Sequence, residues 1–338
     1  MKLNKLNISS VIELFHYLNN LELEYRDMIN VNNKNMTFGV ELEFLGLLYD
    51  DVLDLVLNNK FTLPIEDAMK ISNKNLYAYT TESTTDVNGC EITTPILKDK
   101  KRDWKNLQIM CNDLTKYGAY AKGCATHMHF GAHIIGTKYD SWINLIKIWI
   151  TYEKILYNFY YGEDNAPRKS INTYARSIND IRFNEIDRIK RDNHLLSVLK
   201  LMCSNGIYIG KQLGINIFRV SEEYGIEYKN TIEVRIPNGT LDEKVIQNNI
   251  NLFSKLLTSV ISGKLDVDYL NDKFNNREVV SDINLFNDFD YEDAMYLGDM
   301  VFVSDIDKFY YLKQLYKLYD LSEEELDKKI VKVLKINN

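Results

Sequence analysis

Four short segments of the chain alternate between apolar and polar residues, and this alternation constrains the fold more than any other feature. Residues 37–44 read Thr-Phe-Gly-Val-Glu-Leu-Glu-Phe. Because successive side chains of a β-strand point to opposite faces, Glu41 and Glu43 share one face and the apolar residues share the other. Three further segments repeat this arrangement, residues 90–96, 124–133 and 231–237. The pattern predicts a sheet with one apolar and one strongly polar face.

The polar positions of these segments carry residues with acid–base and metal-binding chemistry. They are Glu41, Glu43, Glu91, His127, His129, Glu233 and Arg235, with Glu82 shortly before Glu91. Each pattern alone also fits a simpler structure, such as an exposed strand face, a polar hairpin or an in-strand ion pair. If the polar faces line one surface, however, its five carboxylates need a counter-charge to stay ionised. Oxygen ligands favour Mg²⁺ or Mn²⁺ over Zn²⁺, and an adjacent arginine is typical of phosphate chemistry.

Composition excludes several other classes of protein. The net charge of -7 argues against a dedicated nucleic-acid binder. No run of about 18 apolar residues is present, so we expect no membrane span. The four cysteines are scattered without close pairs, at Cys90, Cys111, Cys124 and Cys203. This distribution is typical of reduced thiols and predicts a cytoplasmic protein.

Helical patterns interrupt the strands. Apolar spacing predicts helices over residues 10–29, 103–117 and 141–161, and the aromatic residues of the third are expected in the core. Asp103 is expected to cap the second helix, and Thr240–Glu243 reads as a capping box that opens a helix to about residue 262. Ser322–Glu325 reads as a second capping box. Further strands are predicted at residues 76–81 and 215–220.

This order of elements predicts an antiparallel α+β fold and not the regular βαβ alternation of a parallel sheet. We expect three segments along the chain. They are an N-terminal helix in residues 1–35, a main domain in residues 36–265, and a helical C-terminal appendage in residues 266–338.

Taken together, the motifs resemble the amidoligase family. This family lies within the carboxylate–amine ligase superfamily that includes glutamine synthetase and glutamate–cysteine ligase, and the resemblance extends from about Phe38 to Leu256. It rests on the order and spacing of Gly39-Val-Glu41-Leu-Glu43-Phe, Gly89-Cys-Glu91-Ile-Thr-Thr-Pro95, His127-Met-His129, Asn216, Thr231-Ile-Glu233-Val-Arg235 and Asn238-Gly-Thr240-Leu. Two positions depart from the usual family pattern, Ala125 before the histidine pair and Glu82-Ser83 in place of Asp-Gly-Ser.

The resemblance implies a strongly curved antiparallel sheet with helices on its convex face, as in glutamine synthetase and guanido kinases. ATP would bind on the concave side through two or three Mg²⁺ or Mn²⁺ ions, so that residues 36–265 form an ATP-dependent ligase domain. The metal ligands would be Glu41, Glu43, Glu82, Glu91, His129 and Glu233. The nucleotide or substrate would contact Asn216, Arg168 and Arg176. Arg235, beside Glu233, would stabilise the transferring phosphoryl group.

The reaction implied by the resemblance joins a carboxylate to an amine. ATP phosphorylates the carboxylate to an acyl phosphate, and the amine then displaces phosphate. The expected partners are a small-molecule or peptide carboxylate and an amine, with no nucleic acid and no membrane.

Two other functions remain open from the residues alone. The first is a zinc hydrolase built on His127, His129 and His133, because Zn²⁺ favours imidazole ligands. That function explains none of the glutamate pairs. The second is a catalytically inactive binding protein of the same fold, against which the complete set of acidic residues and Arg235 speaks.

Overall fold

The computed structural model describes residues 1–63, 70–74, 89–136, 139–164, 166–178, 212–220, 230–263, 265–277 and 289–334. Six strands lie in this part of the chain: β1 (Phe38–Leu45), β2 (Lys70–Lys74), β3 (Gly89–Thr93), β4 (Thr126–Gly131), β5 (Ile215–Asn216) and β6 (Thr231–Val234). The first helices are α1 (Ile8–Asn20), α2 (Tyr49–Leu57), α3 (Lys101–Lys116), α4 (Tyr139–Tyr160) and the short α5 (Ile171–Tyr174). The later helices are α6 (Glu243–Ile261), α7 (Val267–Asn275), α8 (Tyr291–Val301), α9 (Asp305–Tyr316) and α10 (Glu323–Leu334).

The strands form one sheet in the order β2-β3-β1-β4-β6-β5, and every neighbouring pair is antiparallel. The predicted antiparallel α+β class is therefore confirmed. β1 lies inside the sheet, and its Glu43 is opposite Glu91 of β3. On its other side, Glu41 is opposite His127 of β4. The curvature and the likeness to glutamine synthetase stay predictions.

The apolar face of the sheet is buried under helices. Val40, Leu42, Met128 and Val234 have no exposed surface. Phe38 at the start of β1 stacks on Trp104 of α3, with ring centroids 4.9 Å apart. The ring centroid of Phe130 of β4 lies 4.7 Å from that of Phe253 of α6. This packing leaves the opposite, polar face of the sheet for the site.

The aromatic residues of α4 belong to the core, as predicted. They are each at most 1% exposed: Trp142, Trp149, Tyr152, Tyr157 and Tyr160. The Trp149 ring also contacts Phe253 of α6 edge-on, at 5.9 Å between centroids. These rings therefore belong to the core and are not a ligand platform.

Several predicted boundaries are wrong. α1 ends at Asn20 and not at residue 29. α3 begins two residues before Asp103, whose carboxylate instead accepts a hydrogen bond from the Lys98 amide. Asp242, and not Thr240, caps α6, since its side chain accepts from the amides of residues 244 and 245. The strand predicted over residues 215–220 ends at Asn216 and continues as a 3₁₀ turn.

Other predictions are confirmed or lie outside the described residues. Ser322 and Glu325 form the predicted capping box at the start of α10, each side chain bonding the other residue's amide. Gly118 follows α3 with φ of 96°, the left-handed conformation that favours glycine after a helix. The strand predicted over residues 76–81 lies outside the described residues.

The N-terminal and C-terminal helices pack into the same hydrophobic core as the sheet. Phe15 of α1 contacts the ring of Tyr316 of α9 at 4.9 Å between centroids. Asp307 of α9 is 2% exposed and accepts hydrogen bonds from Arg26 (2.7 Å), Lys255 (2.6 Å) and Asn251 (2.9 Å). The division at residues 35 and 265 stays a prediction, but these contacts join the three segments closely.

No helix in the described part of the chain is long and apolar enough to cross a membrane.

Candidate active site

Glu41 of β1 is held by two histidines of the neighbouring strand. His127 Nδ1 lies 3.2 Å from Glu41 Oε2, and His129 Nε2 lies 3.0 Å from Oε1. His127 is directly opposite Glu41 in the antiparallel ladder, and His129 follows two residues later on the same face. The His-x-His spacing therefore places one imidazole on each carboxylate oxygen.

Glu233 of β6 is a second carboxylate on the polar face, and it has no exposed surface. It is opposite both His129 of β4 and Asn216 of β5. Asn216 Nδ2 donates to Glu233 Oε2 at 2.8 Å, while Arg235 Nη1 donates to Oε1. Arg219 Nε lies 3.6 Å from Oε2 as a further ion pair. Asn216 thus contacts Glu233, the predicted metal ligand.

Glu41, His129 and Glu233 converge. Each offers one ligand atom, and the three atoms lie within 4.8 Å of one another. Because Mg²⁺ and Mn²⁺ bind their ligands at about 2.1 Å, one divalent cation can reach all three atoms. Among the described residues, this is the one group of three or more acidic, histidine or cysteine side chains with such spacing.

A second pair of carboxylates lies beside this group. Glu43 follows Glu41 on the same face of β1 and is directly opposite Glu91 of β3. Directly opposed side chains have Cβ atoms about 5 Å apart, so the like charges repel unless a cation lies between them. Glu91 is 8% exposed, and Glu43 Oε2 accepts from the Ala125 amide at 3.1 Å. Glu82, the remaining predicted ligand, lies outside the described residues.

The charges of the site shift its pKa values in a consistent direction. Burial raises the pKa of Glu41, but its close contacts with His127 and His129 hold it well below the usual range. Burial and the nearby Arg235 lower the pKa of His127, so its imidazole is neutral at pH 7. Burial alone would raise the pKa of Glu233, yet Arg235 and the two histidines bring it to about 2. Both carboxylates are therefore ionised at neutral pH and can act as metal ligands.

The two arginines predicted to contact nucleotide lie near the end of β6. Arg168 is 5% exposed and donates Nη2 to the Arg235 carbonyl at 2.7 Å. Its Nη1 donates to the carbonyls of Ile236 and Pro237 at 3.0 and 2.7 Å. Arg176 joins its backbone to the 212–214 segment. Contact of either side chain with a nucleotide stays a prediction.

His133 lies apart from the other two histidines. It follows β4 in a 3₁₀ turn, is exposed, and places Nε2 2.8 Å from the Asn35 carbonyl oxygen. It does not belong to the group of converging ligand atoms. The structure therefore does not assemble the three-histidine set on which the zinc hydrolase hypothesis depends.

Sequence reasoning missed Arg219. A strand over residues 215–220 would place Asn216 and Arg219 on opposite faces, because they are three residues apart. In the structure β5 ends at Asn216, and the 3₁₀ turn that follows directs Arg219 back to Glu233. The short distance from Asn216 along the chain was the one signal available.

An antiparallel α+β sheet that collects carboxylates, imidazoles and arginines on one face has the side chains of an enzyme active site. The model of a family described as "Putative amidoligase enzyme" matches residues 59–257. This is more than half of the chain, and the chain belongs to that family of ligase-type enzymes. A search of curated proteins found no match.

The matched residues contain most of the site but not all of it. Glu91, His129, Glu233 and Arg235 lie inside the matched range. β1, which carries Glu41 and Glu43, precedes that range. The assignment of these two glutamates to the site therefore depends on the register of the sheet and on their contacts.

Proposed function

We propose that this protein is an ATP- and Mg²⁺-dependent carboxylate–amine ligase that forms an amide through an acyl phosphate. The observation that carries the proposal is the convergence of Glu41, His129 and Glu233 within 4.8 Å, with Arg235 on the same carboxylate. The family assignment supports a ligase. The antiparallel sheet with one polar face supports a fold like that of glutamine synthetase.

The ligands fit divalent magnesium or manganese. Glu41, His129 and Glu233 would hold one ion, and Glu43 with Glu91 would hold another. Two carboxylates in each set favour these hard cations. Bound there, the ions would neutralise phosphate oxygens and the substrate carboxylate, which is the usual contribution of Mg²⁺ to phosphoryl transfer.

The proposed reaction balances without any redox partner. A carboxylate oxygen attacks the γ-phosphorus of ATP, the bond to the β-phosphate oxygen breaks, and ADP leaves. An amine nitrogen then attacks the acyl carbon, phosphate departs with the electrons of the C–O bond, and the nitrogen loses one proton. Protein side chains position the reactants and stabilise charge, and none forms a covalent bond.

The individual residues have separate tasks in this proposal. Arg235 donates to phosphoryl oxygens from the guanidinium that Glu233 orients. His127 orients Glu41 and remains neutral, so that it adds no positive charge beside the metal ligands. Asn216 fixes the Glu233 carboxylate by a 2.8 Å hydrogen bond. Arg168 holds the backbone of Arg235 in place.

Cytoplasmic location belongs to the same proposal. Cys90, Cys111 and Cys124 are buried and form no disulfide among the described residues, as is typical of proteins in a reducing compartment. The carboxylate and amine would be small molecules or peptides, and no nucleic acid or membrane would take part.

Calorimetric titration tests the proposal. A non-hydrolysable ATP analogue is titrated into the protein with Mg²⁺ and again with EDTA, and Mn²⁺ is titrated alone. We expect Mg²⁺-dependent binding of the analogue, and an affinity for Mn²⁺ that falls about 100-fold or more in Glu41→Gln. The matched control is Glu13→Gln, which changes an exposed glutamate of α1 and leaves both affinities as in the wild type.

Zinc analysis of the purified protein and an assay of ADP release separate the other two functions. Tightly bound zinc in the purified protein, without nucleotide binding, would overturn the ligase proposal in favour of the hydrolase. Nucleotide binding without ADP release over a panel of amines and carboxylates would favour the inactive binding protein.

A further inference from the structure

Three arginines surround the end of β6, and they differ in how many of their N–H groups are already bonded. Arg168 donates both Nη1 and Nη2 to the backbone carbonyls of residues 235–237. Its guanidinium is therefore committed to the chain itself. Those contacts make Arg168 a positioning residue for Arg235, with little capacity left for a ligand.

Arg235 is partly committed. Its Nε donates to the Tyr174 carbonyl at 3.1 Å, and its Nη1 donates to Glu233. These contacts hold the guanidinium on the Oε1 side of the Glu233 carboxylate. Its Nη2 has no such partner among the described residues.

Arg219 is the least committed of the three. Its Nε pairs with the other oxygen of Glu233, Oε2, at 3.6 Å, which is too long for a hydrogen bond. Its Nη1 is buried and donates a hydrogen bond to no atom in the described part of the chain. The side chain is 13% exposed. A buried donor without an acceptor is costly, so this site is incomplete in the free protein.

The two guanidinium groups thus lie on the two oxygens of one buried carboxylate. That carboxylate belongs to the group that would hold the metal ion beside the phosphates of ATP. A guanidinium presents planar, paired N–H groups that match phosphate oxygens, and arginine is the usual residue for such contacts. A phosphoryl group bound beside Glu233 would supply the acceptors that Arg219 lacks.

We propose that Arg219 binds the phosphoryl group that passes from ATP to the substrate carboxylate, together with Arg235. This inference rests on the proposed ligase function and adds a residue that the sequence motifs did not identify. It assigns Arg219 to the γ-phosphate and not to the adenosine or the α-phosphate. ATP and ADP should therefore respond differently to its replacement.

The test compares ADP with a non-hydrolysable ATP analogue, both with Mg²⁺, in calorimetric titrations of the wild type and of Arg219→Gln. We expect the affinity for the analogue to fall about 10- to 100-fold, as for the loss of charged hydrogen bonds. The affinity for ADP should change less than about 3-fold, and the affinity for Mn²⁺ alone should not fall. Arg219→Lys keeps the charge but not the planar fork, and should recover only part of the loss.

A control variant tests whether any loss of affinity is specific to Arg219. Arg102→Gln removes an exposed arginine of α3 and should leave both nucleotide affinities unchanged. Suppose that the wild type binds the analogue, and that Arg219→Gln either lowers the affinities for ADP and for the analogue equally or changes neither. The inference about Arg219 is then wrong, while the ligase proposal stands. If the wild type binds neither nucleotide with Mg²⁺, both are wrong. Thermal unfolding of each variant, followed by circular dichroism, identifies a fold defect, and Arg219→Lys then carries the comparison.

Discussion

Glu233 on the sheet and Asp307 in the helical layer are both buried carboxylates with two cationic neighbours, yet their surroundings differ. Asp307 receives hydrogen bonds from Arg26, Lys255 and Asn251. Its two cations outnumber the one carboxylate. Burial raises the pKa of Asp307, but Lys255 and Arg26 lower it overall. This network joins three distant segments of the chain.

Glu233 also has two arginines, but it lies among further acidic side chains. Glu41 belongs to the same group of ligand atoms, and Glu43 and Glu91 lie on the same face. One of the two arginines, Arg219, still has unbonded N–H groups. The Asp307 network pairs one carboxylate with two cations and joins parts of the fold. The Glu233 group instead gathers several carboxylates on one face with arginines beside them, and such a group is suited to bind cations and anions.

The largest expected effect is on stability, from Asp307→Asn. This change leaves Arg26 and Lys255 without their carboxylate, and breaking a buried pair costs about 3–5 kcal/mol. The free energy of unfolding, measured in urea, should fall by that amount. Asp305→Asn, in the same helix as Asp307, removes an exposed ion pair with the amino group of Met1. It should lower the free energy of unfolding by less than about 1 kcal/mol.

The same variant sharpens the comparison at the site. Under conditions in which the variant is folded, Asp307→Asn should bind Mn²⁺ as tightly as the wild type, because no metal ligand is altered. A parallel loss of Mn²⁺ affinity would show that the two carboxylates belong to one functional network, contrary to our distinction.

A smaller effect is expected from acid acting on Glu233. Its pKa of about 2 in the folded protein lies below the usual value of 4.5, so the unfolded chain takes up the proton first. Stability from this group is therefore complete above pH 4.5 and is lost as the pH falls towards 2. In metal-free protein this contribution should be about 1–3 kcal/mol.

Urea unfolding at pH 7, 4 and 3 measures this contribution. Glu233→Gln should show a shallower decline of stability between pH 4.5 and 3 than the wild type, while Glu13→Gln should decline as the wild type does. An equal decline in wild type and Glu233→Gln would mean that other groups, such as Asp307, account for the acid sensitivity.

The smallest effect is expected at His133. Because its ring contacts the Asn35 carbonyl and not the ligand group, His133→Gln should change stability by less than about 0.5 kcal/mol. Mn²⁺ affinity should change less than 2-fold, while His129→Gln lowers it at least about 10-fold. Equal losses of Mn²⁺ affinity in the two variants would instead support a three-histidine metal site.

The sequence predicted elements more reliably than their ends, and α1 explains why. Its apolar spacing continues to Tyr25, but the helix stops at Asn20. Beyond that point the backbone amides of Glu24 and Arg26 bond Tyr310 Oη and Gln247 Oε1. These partners are more than 220 residues away along the chain, and no local pattern reveals them.

The site was predictable to the extent that period-two alternation fixes which residues share a face. Glu41, His129 and Glu233 were found in this way, because sheet register brings their strands together. Arg219 was not found, since a 3₁₀ turn reverses its direction. The contacts of Arg168 with three carbonyls were equally hidden, because a buried arginine that bonds backbone has no sequence signature.

The hydrogen bonds between the first helix and the last helices have a consequence for synthesis. Lys313 donates to the Leu18 carbonyl, and Asn19 exchanges two hydrogen bonds with Leu321. These partners are 295 and 302 residues apart. A ribosome that adds 5–20 residues per second separates their emergence by about 15–60 s. During that interval the apolar side of α1 lacks its partners from the last helices and stays accessible to chaperones.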